Sequence, residues 1–219
     1  AYADRARFYA DPAFASVPVT ELISKSYAER RAKLINPERA AVDVPHGDPK
    51  LAHGDTVYLT VVDKDRNCCS LIQSIYYGFG SDVVPGELGF AMQNRGALFA
   101  LDAEHPNRFE PGKRPFHTII PALVTKNGRP WFVFGVMGGD MQPQGHVQVL
   151  VNMIDFGMNP QEAGDFMRFR HYGGTEVTGY PARGTGVVEM ESGLSASARN
   201  ELTKRGHRIA PGADAFGGY

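Results

Sequence analysis

The apolar positions of this chain fall into two kinds of pattern. Thr56-Val57-Tyr58-Leu59-Thr60-Val61-Val62 is a β-branched and aromatic run entered through His53-Gly54-Asp55, a turn-compatible triplet. The polar stretch Asp63-Lys64-Asp65-Arg66-Asn67 follows, then a second apolar run from Cys68 to Ile75, so the spacing predicts a hairpin. Another pair, Thr118 to Thr125 and Trp131 to Val136, is joined by Lys126-Asn127-Gly128-Arg129, and its Asn-Gly step is a strong hairpin signal. Helical spacing governs elsewhere. Tyr2, Phe8 and Tyr9 open an amphipathic segment that Asp11-Pro12 breaks, and Leu22 and Ile23 form a short apolar patch. Tyr27 to Ile35 reads as a charged surface helix, and Pro143 to Gly157 as a helix with Val147, Leu150, Val151 and Ile154 on one face. Asn159-Pro160 starts a further helix with proline at its first position, and Ser195 to Arg205 another that ends at Gly206. Between these lie the loop from Asn36 to Asp55, the glycine-rich Tyr77 to Asn94, an irregular stretch over 96–115, and a loop and strand from Thr175 to Glu191. Paired strands with helices outside them predict a layered α/β sandwich.

The totals narrow the function classes. A 219-residue chain with 42% hydrophobic and 21% charged residues is ordinary for a globular domain with a substantial core. A formal net charge of −1 without a basic block argues against a nucleic-acid surface. No apolar run approaches the ~18–20 residues that span a bilayer, so no membrane partner is expected. Ala1-Tyr2-Ala3-Asp4-Arg5 is charged and reads as mid-protein helix rather than as a secretory signal. Cys68 and Cys69 are adjacent on a predicted strand, point to opposite faces, and are expected as reduced core thiols in a cytoplasmic setting. His105, His146 and His171 lack ligand spacing such as HExxH, so neither a metal nor another cofactor is expected. Arg168, Arg170 and His171 cluster at a predicted helix end, where surface or subunit contacts would use them. Trp131 is expected in the core or on a sheet face.

Thr56 is the candidate nucleophile. Were the Asp55–Thr56 bond cut, one residue would carry both a hydroxyl and a free α-amine. An amine with a reference pKa near ~8 could take the hydroxyl proton, which is the N-terminal form of nucleophile activation. A threonine also suits the start of any strand. Taken alone, the residue allows both readings.

The order of motifs resembles the γ-glutamyltranspeptidase family. It is carried by Thr56 to Asp63, Lys113-Arg114-Pro115 and Gly138-Gly139. Gln73-Ser74-Ile75-Tyr76, Gln93-Asn94-Arg95-Gly96-Ala97 and Met137-Gly138-Gly139-Asp140 look closest to the branch that includes oxamate amidohydrolase. The resemblance implies a four-layer αββα sandwich of the N-terminal-nucleophile hydrolases, incomplete at both ends. It also implies a precursor that cleaves itself between Asp55 and Thr56. On that reading residues 1–55 are the tail of a large subunit with its linker, and 56–219 a truncated small-subunit catalytic domain. Ser74 would assist the nucleophile or the self-cleavage, and Gly138 and Gly139 would donate to the oxyanion, although a Gly-Gly pair also suits a tight strand-to-helix turn. The implied partners are a small-molecule amide and the remainder of the large subunit, with room for a homodimer of heterodimers.

Substrate recognition departs from the γ-glutamyl enzymes. They hold the substrate α-amine with an acidic loop residue, but Asn94-Arg95-Gly96-Ala97-Leu98 offers none before Asp102. Their serine pair after Lys-Arg-Pro is replaced by His117-Thr118, and their asparagine is matched by Tyr76. An α-amine without a carboxylate would forgo a contact worth ~1.5–3 kcal/mol. Arg95 instead suits a small carboxylated amide such as oxamate; it could equally face solvent or pair with Asp140. The expected activity is therefore an autoprocessing threonine amidohydrolase. Its alternatives are a glutathione hydrolase or transpeptidase, and an unprocessed, non-catalytic relative.

Overall fold

The computed structural model describes residues 2–41, 56–173, 186–212 and 216–219. Asp55, most of the loop from Asn36 to Asp55, and much of the predicted Thr175 to Glu191 segment lie outside the described residues. Helices and strands mix as the pattern requires. Three short helices, α1 (Tyr2–Phe8), α2 (Val19–Leu22) and α3 (Lys25–Ala32), precede two antiparallel hairpins. The first pairs β1 (Thr56–Val62) with β2 (Cys68–Ser74), and the second pairs β3 (Ala122–Lys126) with β4 (Arg129–Phe134). Helices α4 (Met141–Ile154) and α5 (Pro160–Asp165) follow. A three-stranded sheet then orders β5 (Phe169–Tyr172), β6 (Val187–Met190) and β7 (Ile209–Pro211), with β6 and β7 parallel across helix α6 (Ala196–Lys204).

Local chemistry explains the turns. Asp63 closes the first hairpin by accepting from the amides of Asp65 and Asn67 at 2.9 and 2.8 Å. Asn127 and Gly128 have φ of 54° and 74°, the pair of positive values that a two-residue type I′ turn needs. Asn159 and Glu162 form a reciprocal capping box ahead of Pro160. Ser195 caps α6 and Ser24 caps α3, each accepting from the amide three residues on.

The main core lies between the second hairpin and α4. Phe134, Val136, Met141, Val149, Ala163 and Phe216 are buried together, with Phe132, Leu150 and Met153 packed against them. The helix expected over 143–157 is present, but its buried face is rotated. It buries Met141, Gln142, Gly145, His146, Val149 and Asn152, while Val147 and Ile154 are exposed. Polar residues can occupy that face because each finds a partner. Gln142 Oε1 accepts from the Ile120 amide at 3.0 Å, His146 Nδ1 donates to the Gln142 carbonyl, and Asn152 Nδ2 donates to the Ala163 carbonyl.

Other expectations need correcting. Cys68 and Cys69 are free, but one is half-buried and the other exposed, so they are not core thiols. Arg168, expected in surface or subunit contacts, is buried and grips Glu191 at 2.9 Å and the Gly217 carbonyl at 2.9 Å. Arg170 pairs with Glu189 across the β5–β6 sheet. Trp131, by contrast, lies on a sheet as expected, half-exposed on β4 with Lys126 over its ring.

Candidate active site

The strand that begins with Thr56 sets Thr56, Tyr58 and Thr60 on one face. The β1–β2 register sets Thr56 opposite Ser74, Tyr58 opposite Ile72 and Thr60 opposite Ser70. Directly opposed residues share a face, so Thr56 and Ser74 stand side by side. Tyr58 stays on that face because its hydroxyl meets Ser70 Oγ at 2.9 Å and its ring covers Gly135. A Cβ at Gly135 would lie 2.4 Å from that ring, so only glycine allows the two hairpins to approach there.

Beyond Ser74 the chain bends sharply. Ser74 Oγ accepts from the Tyr76 amide at 2.8 Å, and buried Tyr76 has φ 82°, a left-handed value that a bulky aromatic rarely takes. Its ring stacks on Tyr77 at 4.3 Å. Burial, then Tyr77, pushes its hydroxyl pKa far up. Asn94 braces this bend: its amide donates to the Ile75 carbonyl and its Oδ1 accepts from the Tyr77 amide, both at 3.2 Å. Its carbonyl side thus serves the scaffold.

Arg95 opens a short 3₁₀ turn, Arg95–Leu98, and is 3% exposed. It neither faces solvent nor pairs with Asp140. Nε donates to Thr118 Oγ1 and Nη1 to the Ser74 carbonyl, both at 2.9 Å, and the guanidinium lies over the Tyr76 ring. Nη2 is buried and has no partner among the described residues. Arg95 is therefore the hub that joins the Thr56–Ser74 pair to His117-Thr118. Burial, and then the charge of Arg95, lowers the pKa of His117, which favours its neutral form.

Gly138 and Gly139 form the turn between β4 and α4, with φ of 109° and 61°. Both values belong to the region that glycine alone adopts freely. The turn is closed by Met141 and Gln142, whose amides donate to the Gly138 and Gly139 carbonyls at 3.1 and 3.0 Å. Neither glycine's amide is used in these closing bonds. Asp140, next in sequence, forms an ion pair with Arg5 at 3.1 Å.

A cleft of about 490 Å³ lies between α1 and the start of α4. His117, Thr118, Gly139 and Asp140 line it, as do the apolar Tyr9, Phe116, Ile120, Val147 and Phe169. The expected clamp and the expected oxyanion turn thus border one space. Thr56, Ser74, Tyr76, Asn94 and Arg95 are not in its lining; Arg95 bonds Thr118, which is, and the Ser74 carbonyl. Sequence reasoning missed Tyr2, Arg5 and Gln144. Their only signal was amphipathic spacing, which says nothing of the partner more than a hundred residues away that Tyr2 and Arg5 share, or of the His171 carbonyl that Gln144 reaches.

Comparison with known proteins identifies the family. The family model described as Gamma-glutamyltranspeptidase matches residues 1–219. The glutathione hydrolase-like YwrD proenzyme of Bacillus subtilis is 42% identical over 162 residues, 74% of this chain and 30% of the relative. The oxamate amidohydrolase proenzyme of Klebsiella pneumoniae is 40% identical over 163 residues, again 74% and 30%. Among solved structures, cephalosporin acylase from Bacillus halodurans superposes with a TM-score of 0.81 at 42% identity, over 99% of this chain and 37% of that one. The chain therefore spans about a third of the length of the relatives it matches. Its architecture is the α/β sandwich of these N-terminal-nucleophile hydrolases, and the chain belongs to the γ-glutamyltranspeptidase family.

Proposed function

We propose that the protein is a self-cleaving amidohydrolase whose nucleophile is Thr56 and whose substrate is a small amide carrying a carboxylate. Scission before Thr56 frees its α-amine. The amine takes the hydroxyl proton as Oγ attacks the amide carbonyl carbon, and the amides of Gly138 and Gly139 donate to the resulting oxyanion. Collapse breaks the C–N bond, the departing amine takes the proton, and an ester to Thr56 remains. Water then attacks that ester, releases the acid and restores the threonine. Ser74, opposite Thr56, orients the hydroxyl.

One observation carries the substrate class: Arg95 is a buried guanidinium with a nitrogen that has no partner among the described residues, one hydrogen bond from the Ser74 carbonyl. Burying a charge without a counter-charge is costly. A substrate carboxylate would offset that cost with charge-assisted bonds worth ~1.5–3 kcal/mol. Leu98, which is buried, offers no acid for a substrate α-amine. A second reading, a glutathione hydrolase, is favoured by the name of the Bacillus subtilis relative.

Steady-state kinetics on oxamate and a γ-glutamyl anilide separate the two. Under the first reading wild type prefers oxamate, and Arg95→Ala lowers kcat/KM for it by about tenfold to a hundredfold, mainly through KM. Leu98→Asp shifts preference toward the γ-glutamyl compound. Wild-type preference for the γ-glutamyl anilide, with Arg95→Ala unchanged, leaves the second reading standing.

A further inference from the structure

The oxyanion turn has little stiffness of its own, because two consecutive glycines carry no side chains to pack. Its rigidity comes from its flanks. On one side the Met137 amide donates to the Gly218 carbonyl at 3.0 Å. On the other side, besides the Met141 and Gln142 amides that close the turn, three side chains converge on Asp140. Its carbonyl accepts from Tyr2 Oη at 2.8 Å and from Gln144 Nε2 at 3.1 Å, and its carboxylate accepts from Arg5 Nη1 at 3.1 Å. The Arg5 and Asp140 side chains are only 13% and 26% exposed. Arg5 also lies over the Tyr2 ring at 4.6 Å, so the two α1 residues act as one block.

The carboxylate of Asp140 is used unusually. Asp140 is the N-cap of α4, where an aspartate ordinarily accepts from its own helix's amides, yet it makes no such bond. It turns instead to a helix 135 residues earlier in the chain. An aspartate that leaves its own helix uncapped to hold Arg5 points to a role for that bond beyond closing α4.

Resting on the reading of Gly138 and Gly139 as oxyanion donors, we propose that Arg5 is a positioning residue that holds the oxyanion turn through Asp140. It does so from the segment upstream of the Asp55–Thr56 bond. After scission the upstream segment is no longer joined to Thr56, but it still sets the geometry in which Thr56 reacts. Arg5 touches no reacting atom. Its effect falls on the transition state, where the amides must meet the developing charge, and not on ground-state binding.

The test uses the protein at its full natural length and whichever of the glutaryl, oxamyl and γ-glutamyl p-nitroanilides wild type turns over fastest. Arg5→Ala is expected to lower kcat by about tenfold to a hundredfold with KM within about twofold, the size of effect that a small misplacement produces. Arg5→Lys restores part of the loss, and Arg5→Ala with Asp140→Asn is no worse than either change alone. Tyr27→Phe, which removes the bond from Tyr27 Oη to Asp4 that ties α3 to α1, leaves kcat unchanged. Wild-type kcat in Arg5→Ala overturns the proposal, as do multiplying losses in the double variant or an equal fall in Tyr27→Phe. Should Arg5→Ala fail to fold, Arg5→Lys and Asp140→Asn read the same pair, and unchanged kcat in both overturns it equally. Turnover that survives Thr56→Ala would instead sink the threonine mechanism itself, which distinguishes the two failures.

Discussion

The two hairpins of this molecule have the same plan and opposite jobs. The second, β3–β4, ends in Phe134, which is 4% exposed, and leads to Val136, which is fully buried. Its turn is a tight Asn-Gly pair, and its inner face packs on α4. The first, β1–β2, buries only Ile72, and Val57, Leu59, Val61 and Leu71 on its other face are exposed. The difference is one of burial: the second hairpin is built into the core, and the first stands at its edge. The second hairpin anchors the fold and aims the Gly138-Gly139 turn, whereas the first holds Thr56 and Ser74 at its rim, tied in by Tyr58 and by Arg95.

That division can be broken at several points. The largest effect belongs to the anchoring hairpin: Phe134→Ala is expected to cost about 3–5 kcal/mol of unfolding free energy, read by chemical denaturation. Tyr58→Phe, which removes one bond from the first hairpin, should cost only about 0.5–1.5 kcal/mol. Equal costs would erase the distinction. Next comes Gly138→Ala. A Cβ there would sit 3.0 Å from the Phe216 carbonyl at φ 109°. The turn would shift, and kcat should fall by about a hundredfold to a thousandfold. A variant with normal kcat would remove the turn from the chemistry.

The smallest effect concerns how the N-terminal segment is seated. Arg114 donates to Asp11 through its side chain at 2.7 and 3.1 Å and through its amide at 3.0 Å. These bonds, the side-chain ones foremost, hold the Asp11 carboxyl well below the usual carboxylate range. A folded pKa below the unfolded value of ~3.9 means stability that is present above that pH and lost as pH falls through the folded pKa. Arg114→Ala should therefore be less stable than wild type at neutral pH, with the gap closing in acid. A gap that widens below about pH 4 would have the wrong sign.

The legible parts of the molecule were the local ones. Asn127-Gly128 and Asn159-Pro160 depend on residues within a few positions of each other and the β1–β2 pairing on residues at most 18 apart, and all three formed as the pattern predicts. The phase of α4 was not legible, because apolar spacing gives no weight to Gln142, His146 and Asn152: the first and last are buried on the Ile120 amide and the Ala163 carbonyl outside the helix, and His146 on the Gln142 carbonyl. Arg168 was misread for the same reason: its partners are Glu191 and Gly217. In the site, Thr56 facing Ser74 followed from the hairpin, and Gly138-Gly139 from the strand-to-helix junction. The burial of Arg95, the left-handed backbone at Tyr76 and the Arg5–Asp140 pair are products of packing that no short window of sequence contains.

The claim on which the rest depends is that Thr56 becomes an N-terminus. Intact-mass measurement of the full-length protein and of its Thr56→Ala variant tests it most directly. Two chains are expected for wild type, the second beginning with Thr56, and one uncut chain for the variant. A single chain in wild type, or normal cleavage in Thr56→Ala, would contradict it.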